Sequence, residues 1–205
     1  MRVAGGNLVL RYAQPADARG LFELASDPAV TQWFSWGPYR SVDEPAAYIA
    51  SLEAEREAGI RLDFVVAKGT VPSATMGVIG LNELSPRDRR AMVGTWFGRE
   101  YWGTGVNAVA KALILHVAFE VCGLERVGAY SALDNPRSTR ALEKLGFRHE
   151  GVLRAWHRHG DTPHDVNVFG LLRAQWPGAP FDVTVEGEPP QAWLLERARP
   201  GADPS

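Results

Sequence analysis

The sequence predicts an α/β chain, in the α+β sense, whose central sheet is mixed but mostly antiparallel and is flanked by helices. Residues 62–98 read as three consecutive strands joined by tight polar turns, and residues 150–172 read as a long hairpin. Between them a glycine-bearing loop, a strongly patterned helix and one further strand follow one another, as a mixed sheet requires. At 205 residues the chain is one domain with some excess, long enough to bury a sizeable core.

Leu8–Tyr12 alternates apolar and polar residues and forms the first strand, ended by Gln14-Pro15-Ala16-Asp17, where proline suits a first helical turn. A helix over Ala16–Leu24 is broken by Ser26-Asp27-Pro28. Trp33, Phe34, Trp36 and Tyr39 then crowd around Gly37-Pro38. Such rings either cap a core beneath a loop, since aromatics bury the most area per residue, or wall a binding site. Ser41-Val42-Asp43-Glu44 is a capping box that opens a helix to Ala58, closed by Gly59, and its charged face at Glu53, Glu55, Arg56 and Glu57 is a solvated surface. Leu62–Ala67 and Thr75–Leu81 make a hairpin around Lys68–Pro72. Ser85–Arg90 is a polar turn before the strand Ala91–Gly98.

That strand runs into Glu100-Tyr101-Trp102-Gly103-Thr104-Gly105-Val106-Asn107. Gly103 and Gly105 permit positive φ and release N–H groups where a helix begins, so backbone donors and the helix dipole can hold a phosphate there without a lysine. Ala108 stands where a dinucleotide fingerprint needs its third glycine, and no Gly-Lys-Ser/Thr follows, which excludes a P-loop. The helix Val106–Val121 is apolar at 106, 109, 110, 113, 114, 117, 118 and 121, one broad buried face, with His116 on its more polar side. A strand follows over Arg126–Ala132. Asn135-Pro136 is an N-cap with proline at the first helical position, and Gly146 the left-handed C-cap, bounding a helix over Pro136–Leu145. The terminal hairpin pairs Glu150–His159 with Asp165–Leu172. From Pro177 on, prolines and glycines dominate, so residues 1–176 read as the domain and 177–205 as an extension whose Phe181, Val183, Val185 and Trp193-Leu194-Leu195 can pack on the body or on a neighbouring subunit.

Composition excludes several functions. Basic and acidic residues number 22 and 24 for a net charge of −2, with no Lys/Arg run, so no nucleic-acid partner is expected. Cys122 is the single cysteine, which rules out an internal disulfide and fits a reducing compartment. No N-terminal signal core and no run of about eighteen apolar residues exists, so a soluble cytoplasmic protein without a membrane partner is expected.

The run Tyr101–Leu171 resembles the GNAT superfamily of acyl-CoA-dependent N-acetyltransferases, especially its RimJ/RimL-type branch. Trp102-Gly103-Thr104-Gly105, Asp134-Asn135-Pro136-Arg137-Ser138, Leu145-Gly146-Phe147, Glu150-Gly151-Val152-Leu153 and Asp165-Val166-Asn167 recur in that branch's order and spacing. The resemblance implies a sheet splayed at its middle that holds acetyl-CoA, or another acyl-CoA, as co-substrate. It places the pyrophosphate on Gly103, Thr104 and Gly105 and the N–H groups of Val106 and Asn107, and the pantetheine arm and acyl oxygen on the backbone of Trp96, Phe97 and Gly98. Asn135 either donates to that arm or is only the helix cap. Arg137, Arg140 and Lys144 meet the nucleotide's phosphates or solvent. Trp33, Trp36 and Tyr39 fall on the acceptor wall. Ser138 takes the position of the acid for the departing thiolate.

The glutamate base of that branch falls on His157 here, a departure from the pattern. An imidazole titrating near 6.5 suits proton removal at neutral pH, with water, Glu100, Glu150 or Asp165 as alternatives. Asp165 and Asn167 either orient that imidazole or pair across the hairpin. His157, His159 and His164 lie close in a hairpin, but no cysteine or carboxylate set completes a metal site, so none is expected. The expected activity is N-acyl transfer to a primary amine, a protein N-terminus first. A small-molecule acetyl- or succinyltransferase, or a non-catalytic CoA-binding sensor, is the alternative, and a homodimer is compatible with each.

Overall fold

A computed structural model describes residues 1–195. Nine strands form one sheet: β1 Arg2–Gly5, β2 Leu8–Arg11, β3 Arg61–Lys68, β4 Val71–Ser85, β5 Arg90–Phe97, β6 Arg126–Ala132, β7 Arg148–His159, β8 Thr162–Leu172 and β9 Thr184–Glu186, in the spatial order β7-β8-β6-β5-β4-β3-β2-β1-β9. Every pair is antiparallel except β5 with β6. That one parallel pair needs a crossover, and α4 Val106–His116 supplies it. The remaining helices are α1 Ala18–Ala25, α2 Pro28–Thr31, α3 Asp43–Glu57 and α5 Pro136–Lys144. Among the described residues no helix is long and apolar enough to cross a membrane.

Local chemistry accounts for the helix ends. Ser41 Oγ accepts from Asp43 N–H at 3.1 Å while Glu44 Oε1 accepts from Ser41 N–H at 3.1 Å, so both residues of the expected capping box engage, with the serine bonded to Asp43, one residue earlier than the box requires. Asn135 Oδ1 accepts from Ser138 N–H at 3.1 Å. At the far end of α5, Gly146 N–H reaches Glu143 O at 3.0 Å and Phe147 N–H reaches Leu142 O at 3.2 Å, a Schellman ending made possible by the positive φ of Gly146. The patterned helix is regular only as far as His116. Over Val117–Val121 it widens to a π turn closed by Cys122 N–H on Val117 O at 2.8 Å.

One expectation changes, at the N-terminus. The first strand is not Leu8–Tyr12 but Arg2–Gly5, joined to β2 by Gly6 and Asn7 at φ 55 and 68, the two-residue turn that Gly-Gly-Asn in the sequence allows. The extension is bound to the body as far as it is described. Val185 pairs with Val3 across β1 and β9, and Trp193 is fully buried with its Nε1–H donating to Arg56 O at 3.1 Å. Residues 196–205 lie outside the described residues. The main core lies between α4 and the sheet, where Leu113, Ile114, Val117 and Phe119 meet Leu10, Phe64, Val66 and Phe169. On the other face Leu21 of α1 and Ile49 of α3 pack on Val78 of β4.

Candidate active site

The sheet opens where β5 and β6 part. Their parallel pairing ends at Met92 and Gly128, where the absent side chain of Gly128 leaves room for the Met92 thioether. Beyond it Val93–Phe97 pairs only with β4 and Ala129–Ala132 only with β8, so two ladder edges face each other across a gap. Unpaired strand edges are an extended ligand's natural partners. A cavity of about 1180 Å³ fills this fork and continues across both faces of the sheet.

Which backbone groups point into the gap follows from the ladder. Gly98 N–H donates to Met76 O at 3.0 Å and is therefore spent on β4. Antiparallel alternation then turns Trp96 to β4 as well, and leaves Thr95 and Phe97 facing the gap. Of the three backbone positions expected to hold the arm, Phe97 keeps the right direction. Trp96 contributes its indole to the opposite face instead, edge-on to Trp36 with ring centroids 5.6 Å apart.

At the mouth of the gap the chain turns into α4. Gly103 and Gly105 have φ of 76 and 89, and a Cβ built on either meets nothing within 4 Å, so the concave side of the turn is open. Thr104 Oγ1 donates to Tyr101 O at 2.7 Å and Trp102 Nε1–H to Phe97 O at 2.9 Å, which fixes the turn. The first intrahelical bonds onto Gly105 O come from Ala108 and Val109, so the N–H groups of Val106 and Asn107 are free of the helix ladder. Arg137 lies 3.6 Å above the Trp102 ring, and Arg140 and Lys144 line the same rim from α5. These groups fit a pyrophosphate and its extended arm.

Ser138 and His157 both line the fork, as do Asn135, Trp33, Trp36 and Tyr39. Phe34, Trp36 and Tyr39 form one wall, with centroid spacings of 5.4 and 5.2 Å. His157 reaches the cleft because β7 bulges. Leu153 pairs with Val166 and His157 with His164, so three residues of β7 oppose one of β8, and Ala155 takes φ 51. Asp165 Oδ1 holds that bulge by accepting from Ala155 N–H at 2.7 Å. Asp165 thus aims His157 through the backbone, while Asn167 Oδ1 meets the ring of His149 at 3.0 Å instead. The His157 imidazole packs edge-on to Tyr130 at 5.7 Å, and burial pulls its pKa below the usual value against the opposing effect of Glu83.

The alternative carboxylates expected near the chemistry are engaged elsewhere. Glu150 is paired with Arg126, and Glu100 belongs to a separate depression beside α1. The structure brings in two others. Glu83, at φ 50 in β4, accepts from Tyr130 O–H at 3.2 Å. Asp63 accepts from Tyr48 O–H at 2.7 Å in a niche that only glycine at position 80 leaves open, and burial raises its pKa although that hydrogen bond opposes it. Both line the cleft, and neither carries a motif that would have marked it. Among the described residues His, Cys, Asp and Glu form no group of three able to hold a metal ion.

An open fork in a mixed sheet, a glycine turn with free N–H groups at the following helix and an imidazole across the gap suit an acyl-CoA-dependent transferase. The chain belongs to the GNAT acetyltransferases: the family described as Acetyltransferase (GNAT) domain matches residues 7–148. It is 30% identical over 168 residues to the uncharacterized N-acetyltransferase YoaA of Bacillus subtilis (strain 168), covering 81% of this chain and 93% of that one. It is 29% identical over 97 residues to the ribosomal-protein-serine acetyltransferase of Escherichia coli (strain K12), covering 47% of this chain and 54% of that one. The fold also matches spermidine N-acetyltransferase from Vibrio cholerae in complex with CoA and spermine, with a TM-score of 0.71 at 21% identity over 82% of this chain and 97% of that one. The protein is an N-acyltransferase that uses acetyl-CoA.

Proposed function

We propose that this enzyme acetylates the α-amine of a peptide or protein N-terminus, with His157 as the proton acceptor. The observation that carries the reading is the match of base to amine. An imidazole held below 6.5 by burial suffices for an α-amine titrating near 8, whereas an ε-amine near 10.4 asks for far more. The aromatic wall of Phe34, Trp36 and Tyr39 offers an apolar seat for the first side chain. Thr95 and Phe97 then present backbone groups to the acyl arm, and Ser138 is the acid for the departing thiolate. A cytoplasmic location and a homodimer are parts of the same proposal, and the E. coli relative's substrate class agrees with it.

A second reading rests on Glu44, Asp63 and Glu83, three carboxylates along the cleft that suit a polycationic small amine such as the substrate of the V. cholerae enzyme. Thiol release from acetyl-CoA, offered N-terminal peptides, lysine peptides and polyamines, separates the two. Release with N-terminal peptides is expected, and release confined to polyamines would replace the first reading with the second. A chain that binds acetyl-CoA but releases no thiol with any acceptor would be a sensor.

His157→Ala is expected to lower the acylation rate by roughly 10²-fold with little change in CoA affinity. In the wild type the rate should fall as pH drops below about 8, where the amine protonates, and more steeply at a pH below about 6.5, where protonation also removes the base; His157→Ala should keep the amine's limb and lack the second. Unchanged kinetics would return the role to water or to Glu83.

A further inference from the structure

We propose that Lys111 is a self-acylation site, whose Nζ takes the acyl group from the thioester bound in the same fork. The inference rests on the acyl-CoA reading of the cleft but concerns a residue to which that reading gives no role. Lys111 lies on α4, six residues past Gly105, and lines the cavity while remaining only 7% exposed. Its Nζ donates to Thr95 Oγ1 at 2.8 Å and to Asn107 Oδ1 at 3.1 Å. Thr95 belongs to the stretch of β5 beyond Met92 that has lost its β6 partner, so the amine stands beside the slot for the acyl arm.

The two hydrogen bonds fit a neutral amine. An –NH₂ group has two N–H donors and one lone pair, and both donors are used here. Among the described residues no carboxylate pairs with Lys111, so no counter-charge on the protein favours its protonated form. Burial alone pulls its pKa down to about 7. The other charged groups that line the same cleft near it are Arg137, Arg140 and Lys144 of α5 and Glu83 of β4. At cytoplasmic pH much of the population therefore holds a free nucleophile, the state the enzyme must otherwise create on its acceptor.

The step is complete with acyl-CoA as its one co-reactant. The Nζ lone pair attacks the thioester carbonyl carbon, the C–N bond forms, the C–S bond breaks, and the amine's proton passes to the leaving thiolate. The product is an amide, which does not return its acyl group, so the outcome is a modified chain and not a step of turnover. Composition makes the site easy to find. The chain has 19 arginines and 3 lysines, and the other two lysines, Lys68 and Lys144, are exposed.

The test is incubation of the whole chain with acetyl-CoA and no acceptor, followed by intact mass and peptide mapping, with acetyl-CoA binding measured separately by calorimetry. One acetyl group on Lys111 is expected, its rate levelling off above pH about 7, and K111M should gain none there. Lys68, exposed and outside the residues that line the cleft, is the internal control for non-specific labelling. Acetyl-CoA that binds without labelling Lys111, or labelling of Lys68 as fast as that of Lys111, overturns the inference. Failure to bind acetyl-CoA would overturn the cleft assignment and the inference with it.

Discussion

Gly105→Glu is expected to yield a folded chain that no longer holds acetyl-CoA. At φ 89 an L-residue is strained by roughly 1–2 kcal/mol, which a domain of ordinary stability tolerates, and the new Cβ meets no atom within 4 Å. The fold therefore survives, and the damage is local. The carboxylate enters the concave side of the turn, where the N–H groups of Val106 and Asn107 and the N-terminus of α4 would face a pyrophosphate. Like charges then oppose each other where complementary ones had met. A loss of affinity of at least about a hundredfold, near 2.7 kcal/mol, is expected. Calorimetric titration with acetyl-CoA checks it, with circular dichroism to verify folding and Gly105→Ala to isolate backbone strain. Normal affinity in a folded Gly105→Glu chain would remove the phosphate from this turn.

Trp193→Ala should be the most destabilising single change in the C-terminal extension, at about 3–5 kcal/mol. Trp193 is 0% exposed, and its indole N–H supplies the partner of Arg56 O at the end of α3, while Leu195 N–H closes on Cys122 O at 3.2 Å. Truncation thus removes a large packed ring and leaves a carbonyl at a helix end without its donor. Urea unfolding at constant slope gives the number. Trp193→Phe, which keeps most of the volume and loses the hydrogen bond, should cost only about 1 kcal/mol. A cost below about 1 kcal/mol for alanine would mean that the extension contributes little to the fold.

The value expected for Trp193 shows where sequence reading stops. Proline and glycine content describes how freely a segment would move alone, and residues 177–195 read as an appendage on that basis. Burial depends on what surface awaits the segment, and β1 presents an open edge to β9. β1 itself was hidden because four residues of strand before a two-residue turn are too few for periodicity to register.

The sequence by itself determined the features that short-range physics controls. Helix caps at Ser41 and Asn135, the C-terminal glycine of α5, the apolar face of α4, the bounds of β6 and the nest at Gly103 and Gly105 all follow from groups within a few residues of one another. Tertiary structure alone decided which side chains share the cleft. Glu83 meets Tyr130 from 47 residues away, Asp63 meets Tyr48 across a niche made by Gly80, and a bulge at Ala155 swings His157 toward the gap. Lys111 has the same basis. Its place on the helix is local, but the desolvation that brings its pKa to about 7 comes from a sheet assembled out of distant strands.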